Sequence, residues 1–234
     1  MKKVLSVAVL GLFLASASVV QAVPIELTKI DGDWKNPSPA GKATIVNSGS
    51  TGGTSTASWG NGDNVSSYVF VSNNTPLNVE ADGDLFSIGT FTHNNFPIDM
   101  GSSINAIDLL ITIQAFDLID LSATFNYSHN ETPNTGGDLA NRDIVTITNP
   151  ILNADFEYGG NKYYFNLFGF SQDDGLTVSN VFKTYENQAN AANLYAKVTS
   201  EPLAPAPIPE PSTMFLVGTG LAGVAALSRR REWK

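Results

Sequence analysis

The feature that most limits what this chain can fold into is a recurrence. Short runs of β-branched and aromatic residues follow one another from residue 65 to residue 199, and each is closed by a polar turn. The runs cover 65–71, 84–92, 106–116, 121–127, 143–148, 162–170, 177–185 and 193–199. Such composition suits a pleated, half-buried surface. Where alternation is clear it has a period of two: Leu121, Ala123, Phe125 and Tyr127 share one face, and Ile107, Leu109, Ile111 and Ile113 share another. The separators are turn formers: 60–63 (Gly-Asn-Gly-Asp), 81–84 (Ala-Asp-Gly-Asp), 135–137 (Thr-Gly-Gly), 158–160 (Tyr-Gly-Gly) and 173–175 (Asp-Asp-Gly). Eight or more strands without a strong helical period predict an all-β protein, an antiparallel β-sandwich of jelly-roll type, with a closed barrel as the alternative.

Three stretches read differently. Residues 47–58, rich in Gly, Ser and Thr, suggest a mobile loop. Residues 186–192 suit a single helical turn. Residues 201–208 form a Pro-rich linker, extended and semi-rigid, that would hold the β-rich body of residues 23–200 away from whatever follows.

The two ends carry sorting signals. Lys2 and Lys3 precede an apolar stretch over 4–14, and Val20-Gln21-Ala22 offers a signal-peptidase site, so residues 1–22 read as a cleaved signal peptide. At the other end an apolar run over 213–227 lies between Pro209-Glu210-Pro211 and Arg229-Arg230-Arg231. As a helix its 15 residues reach about 22 Å, short of the roughly 30 Å of bilayer hydrocarbon. Gly218, Gly220 and Gly223 dilute it further. A short, diluted membrane helix suits temporary retention, and the arginines place the tail in the cytoplasm and the body outside.

Together, Pro209, Glu210, Pro211, the apolar run and Arg229, Arg230 and Arg231 resemble a PEP-CTERM sorting domain over residues 209–234. The resemblance implies a Gram-negative exported protein recognised and cleaved by the membrane enzyme exosortase. Thr92-His93-Asn94-Asn95 resembles the signature of the THxN family of PEP-CTERM proteins, with the flanking body resemblance running from about residue 84 to 147. That family brings no established reaction with it.

Composition narrows the remainder. The chain has no cysteine, which excludes a disulfide, a thiolate metal site, a cysteine nucleophile and a lipoprotein anchor. Setting aside the two lysines of the signal, and the four basic and one acidic residues from position 212 onward, leaves 7 basic and 21 acidic residues in the body, a net charge of −14. Such a surface repels nucleic acid.

Several residues are candidates for chemistry. His93 reads as a structural residue whose imidazole bonds backbone at a strand end, with Asn94 and Asn95 shaping a turn before Pro97. As a ligand or base it would need a neighbour such as His129 or Glu131. Two histidines without cysteine argue against zinc. Asp82 and Asp84, or Asp31 and Asp33, or Asp173 and Asp174, can supply calcium oxygens, although no EF-hand spacing is present. Asp155 and Glu157 fall on one strand face, where paired carboxylates serve either glycoside hydrolysis or protection of a sheet edge; the edge reading is preferred. Trp34, Trp59, Tyr158 and Tyr163 can stack on sugars or fill a core.

The expectation is a non-enzymatic, exosortase-processed surface or matrix protein without a cofactor, partnered by signal peptidase, exosortase and extracellular polysaccharide. A carbohydrate-binding module, with or without calcium, and a polysaccharide hydrolase using Asp155, Glu157 or His93 are the alternatives.

Overall fold

The computed structural model describes residues 24–61, 64–150 and 154–203. The signal segment, the apolar run and the sorting-motif residues Pro209, Glu210, Pro211, Arg229, Arg230 and Arg231 lie outside the described residues. Among those described there is no helix, and the strands form two antiparallel sheets.

The first sheet has six strands. Its centre is β7 (Ala106–Ala115) and β8 (Ile119–Asn130), joined by a tight turn in which Phe116 and Asp117 both take positive φ. That is the conformation that a short hairpin matching the right-handed twist of its strands requires. The expected faces hold: Ile107, Leu109, Ile111 and Ile113 are buried against Leu121, Ala123, Phe125 and Tyr127 of the neighbouring strand. β9 (Asp143–Ile147) and β12 (Val181–Thr184) extend the sheet on one side. On the other side lie β1 (Pro24–Ser38) and β5 (Leu77–Glu80).

The second sheet has seven strands. β6 (Phe86–Asn95) runs through its middle between β4 (Asn64–Ser72) and β13 (Gln188–Thr199). β3 (Thr54–Asn61) and β2 (Ala43–Val46) flank β4, while β11 (Asn161–Ser171) and the edge strand β10 (Ala154–Tyr158) flank β13. A single apolar cluster joins both sheets. Its centre is aromatic: Trp34 of the first sheet lies with its ring centroid 5.6 Å from Tyr68 and 6.1 Å from Phe91 of the second.

Three local expectations are corrected. Residues 47–58 are not one loop, because β3 begins at Thr54 and buries Ser55, Ala57 and Trp59; small inward side chains hide the alternation. The helical turn over 186–192 is absent: Asn187 takes φ 61° in a tight turn and β13 starts at the next residue. The strand expected over 177–185 shrinks to β12, because Thr177 is held by Asp173 through both its N–H and its hydroxyl. Asp31 and Asp33, offered as calcium ligands, lie in the middle of β1, paired with Thr112 and Leu110.

The turn expected at 81–84 is present, and it fastens the end of the body. Asp82 takes φ 60°, and its carboxylate accepts bonds from the Ser200 N–H at 3.0 Å and the Ser200 hydroxyl at 2.6 Å. Alanine tolerates a left-handed backbone poorly and offers no acceptor. Asp82→Ala is therefore expected to lower stability by about 1–2 kcal/mol, read as a shift of the urea midpoint. An unchanged midpoint would mean that the Ser200 clasp does not hold the chain.

Candidate functional site

The Thr92-His93-Asn94-Asn95 stretch is strand, not strand end and turn. It forms the last part of β6, so its side chains alternate between the two faces of the sheet. Thr92 and Asn94 lie on the half-exposed outer face, where Asn94 donates to the Ser67 hydroxyl at 3.0 Å. His93 and Asn95 are fully buried on the inner face. The expected backbone partner for the His93 imidazole is replaced by a side chain: Nδ1 lies 2.8 Å from the Thr184 hydroxyl on β12 of the opposite sheet.

Across from His93 stands His129, near the end of β8, with ring centroids 5.3 Å apart. The inner face that carries Leu121, Ala123, Phe125 and Tyr127 continues to His129 by the same two-residue step. Asp143 opens β9 on the same inward face as Val145 and Ile147, and it has no exposed surface. The ligand-type atoms of His93, His129 and Asp143 all lie within 4.8 Å of one another. Asp143 also belongs to a second such group, with Glu131 just past β8 and Glu186 in the turn before β13. Glu186 lines a surface cleft of about 260 Å³ with Asp138, Asn141, Tyr185, Asn187 and Gln188. The carboxylate oxygens of Glu186 are themselves buried, and His93, His129, Asp143 and Glu131 do not line that cleft.

Hydrogen bonds fix much of this arrangement. The Thr184 hydroxyl lies 3.5 Å from the Asp143 carbonyl, and where it donates there its oxygen can accept from His93 Nδ1–H. In that tautomer the Nε2 of His93 carries a lone pair. It has no hydrogen-bond partner among the described residues, and neither has Asp143 Oδ2. Leaving such buried groups unpaired costs about 1–3 kcal/mol each, so both atoms need an explanation. Asp143 Oδ1 is satisfied by the Thr132 N–H at 2.8 Å and the Thr132 hydroxyl at 3.3 Å. His129 lies between Tyr68 and Glu131, with Nδ1 2.5 Å from the phenol oxygen and Nε2 3.2 Å from Glu131 Oε2. Trp59 stacks on His93, with centroids 5.8 Å apart, and meets His129 edge-on at 5.2 Å.

Burial sets the protonation. It pushes the His93 imidazole well below its ordinary range, and the neighbouring His129 adds to that, so His93 is neutral. Burial raises Asp143 to about 6, against the bonds from Thr132 and with help from the Glu131 charge. Burial raises Glu186 to about 7, reinforced by the charges of Asp143 and Glu131. Burial likewise lifts the Tyr68 phenol well above its ordinary value, so Tyr68 keeps its proton.

The other sequence candidates are scattered. Asp82 serves the Ser200 clasp, and neither it nor Asp84 belongs to a group of close His, Asp and Glu ligand atoms among the described residues. Asp173 is spent on Ser171 and Thr177. Asp155 and Glu157 do share the outer face of edge strand β10, but Asp155 is ion-paired with Lys162 at 2.8 Å. Trp34, Trp59 and Tyr163 are core residues; of the four aromatic candidates only Tyr158 is notably exposed, and it stacks on Phe116 at 3.8 Å. Sequence reasoning passed over Asp143 and Glu186. The signal available for Asp143 was an ionisable residue on the apolar face of an alternating strand; Glu186 sits in a turn with no comparable mark.

A two-sheet all-β body ahead of a terminal apolar segment defines the class: a protein whose address is written outside its fold. That address is specific. Residues 207–231 match the PEP-CTERM protein-sorting motif, which marks the chain as an exported, exosortase-targeted protein bound for the envelope or cell surface. No curated protein matches the chain.

Proposed function

We propose that this chain is a non-enzymatic protein of the cell surface or extracellular matrix, that its body associates with extracellular polysaccharide, and that it groups with the THxN family of PEP-CTERM proteins. In this reading the signal peptide is removed after Ala22, the 213–227 helix holds the precursor in the inner membrane, and exosortase cuts near Pro209-Glu210-Pro211. The released body is a jelly-roll-like sandwich. The observation that carries the reading is the sorting motif at residues 207–231 behind a cysteine-free β-rich body.

Support for the non-enzymatic part comes from what the polar residues are occupied with. The Asp155 carboxylate is bound by Lys162 on an exposed sheet edge, where a pair of charges discourages edge-to-edge association. A hydrolytic carboxylate pair needs both groups aimed across a substrate cleft. The strongly acidic body suits a hydrated, polyanion-poor surface more than nucleic acid or anionic lipid.

Mass spectrometry of the extracellular protein tests the processing. The expected mature form starts at Val23 and lacks everything beyond about residue 211. Material ending at Lys234 outside the cell would overturn the reading. Glu210→Ala is expected to leave an uncut, membrane-held precursor while the body folds unchanged.

A further inference from the structure

We propose that His93, His129 and Asp143, with Glu131 and Glu186 beside Asp143, form a binding site for one divalent first-row transition metal of the zinc class, clamped between the two sheets. Neither the sorting motif nor the proposed polysaccharide association bears on this site, so it stands apart from both.

Several independent features converge on these residues. The three ligand atoms lie within 4.8 Å of one another. In a tetrahedral zinc site with bonds near 2.0–2.1 Å the ligand atoms stand about 3.3 Å apart, so side-chain adjustments of little more than 1 Å close the distance. Two of the three present an unpaired buried atom: His93 Nε2 and Asp143 Oδ2 lack a hydrogen-bond partner among the described residues, and both side chains are fully buried. Both atoms belong to side chains of the same buried group and have no partner there, and a cation bound among these side chains would satisfy both.

The supporting contacts are those that orient metal ligands. His93 Nδ1 is held by the Thr184 hydroxyl at 2.8 Å, and metal at Nε2 would place the imidazole proton on Nδ1, with the Thr184 oxygen accepting it. Asp143 is oriented through its other oxygen by Thr132. His129 has Tyr68 on Nδ1, and the phenol can either donate or accept. Metal at Nε2 would require the His129 proton on Nδ1, with the Tyr68 oxygen accepting it and the phenol hydrogen turned away from the ring, while Glu131 would turn from the imidazole to the ion.

The donor set selects the metal. Imidazole nitrogens with carboxylates suit zinc and its first-row neighbours, whereas calcium takes an all-oxygen shell of six to eight ligands. The ion's two positive charges would answer the crowded carboxylates of Asp143, Glu131 and Glu186. His93 belongs to the second sheet, and His129 and Asp143 to the first, so the ion would join the sheets in an exported chain that has no cysteine for a disulfide. Metal binding of this kind is coupled to folding.

The test uses the full chain purified in mild detergent, stripped with a chelator and titrated calorimetrically with zinc sulfate and, separately, calcium chloride. One zinc per chain is expected, with a rise in melting temperature, and no calcium response at the same site. X-ray absorption at the zinc edge should report two imidazoles in the coordination shell. His93→Gln and Asp143→Asn are expected to weaken zinc by about 100-fold or more, and Thr184→Val, which keeps every ligand, by about 10–100-fold. Failure of the wild-type chain to bind zinc, an all-oxygen shell, or undiminished binding in folded His93→Gln would each overturn the site. Because the wild-type titration and absorption spectrum decide by themselves, a variant that does not fold leaves the proposal open to refutation.

Discussion

Replacing Trp34 by alanine is expected to lower the stability of the body by about 3–5 kcal/mol, the range for truncating a large buried aromatic. Trp34 is 1% exposed and belongs to β1, yet its contacts lie on both sheets. Its ring meets Tyr127 of the first sheet at 5.7 Å and Tyr68 and Phe91 of the second at 5.6 and 6.1 Å. The indole N–H donates to the Ser55 carbonyl on β3 at 3.1 Å. Asn47 grips the same residue's backbone twice, accepting from the Trp34 N–H at 2.9 Å and donating to its carbonyl at 3.1 Å. Truncation opens a cavity at the inter-sheet centre and strands a buried carbonyl, two costs that add. Unfolding in urea followed by far-ultraviolet circular dichroism reads the loss, and the melting temperature should fall by roughly 10 °C for a body of this size. Trp34→Phe is expected to retain most of the packing but not the Ser55 bond. A loss below about 1 kcal/mol in Trp34→Ala would show that the sheets are not pinned at this ring.

How far the sequence discloses this fold depends on what faces inward. β7 and β8 announce themselves because every second residue is large and apolar, and a period of two survives without knowledge of partners. β3 stays hidden because its inward side chains are Ser55, Ala57 and Trp59, and two of the three are small. β1 is hidden for another reason. Its pairing with β7 is interrupted by register shifts at Leu27/Lys29 and Lys35/Ser38, which break the alternation. The candidate metal cluster was half legible. His129 follows from extending the β8 pattern by one step, and His93 from extending β6 beyond Phe91. Their meeting with Asp143 is a product of sheet-on-sheet packing, which brings residues 36 and 14 positions apart to one point and leaves no local trace.

The same inter-sheet packing makes Gly32 irreplaceable, and this yields a prediction that tests the packing through non-additivity. Gly32 lies mid-strand in β1 beside Ile111, with an ordinary backbone, so its role is space and not conformation. A Cβ placed there would stand 2.4 Å from Phe70 Cδ1 and 2.5 Å from Cε1. The ring cannot withdraw. Its far side lies against Gly89 of β6, where an added Cβ would be 2.6 Å from Phe70 Cζ and 2.5 Å from the Val71 carbonyl oxygen. One phenyl ring is thus seated between a glycine of each sheet. Gly32→Ala is expected to cost about 1–3 kcal/mol, as overpacking in a close-packed core does. Phe70→Leu alone is expected to cost about 1 kcal/mol or more through the space it leaves. The double variant should lose less than the sum, because the smaller side chain makes room for the new methyl group; a coupling of at least about 0.5 kcal/mol separates this from independent sites. Gly89→Ala is the contrasting case. Part of its clash is with the Val71 backbone, so Phe70→Leu should relieve it less than it relieves Gly32→Ala. Equal rescue at both glycines, or simple additivity at Gly32, would mean that the ring is not what fills the gap between the sheets.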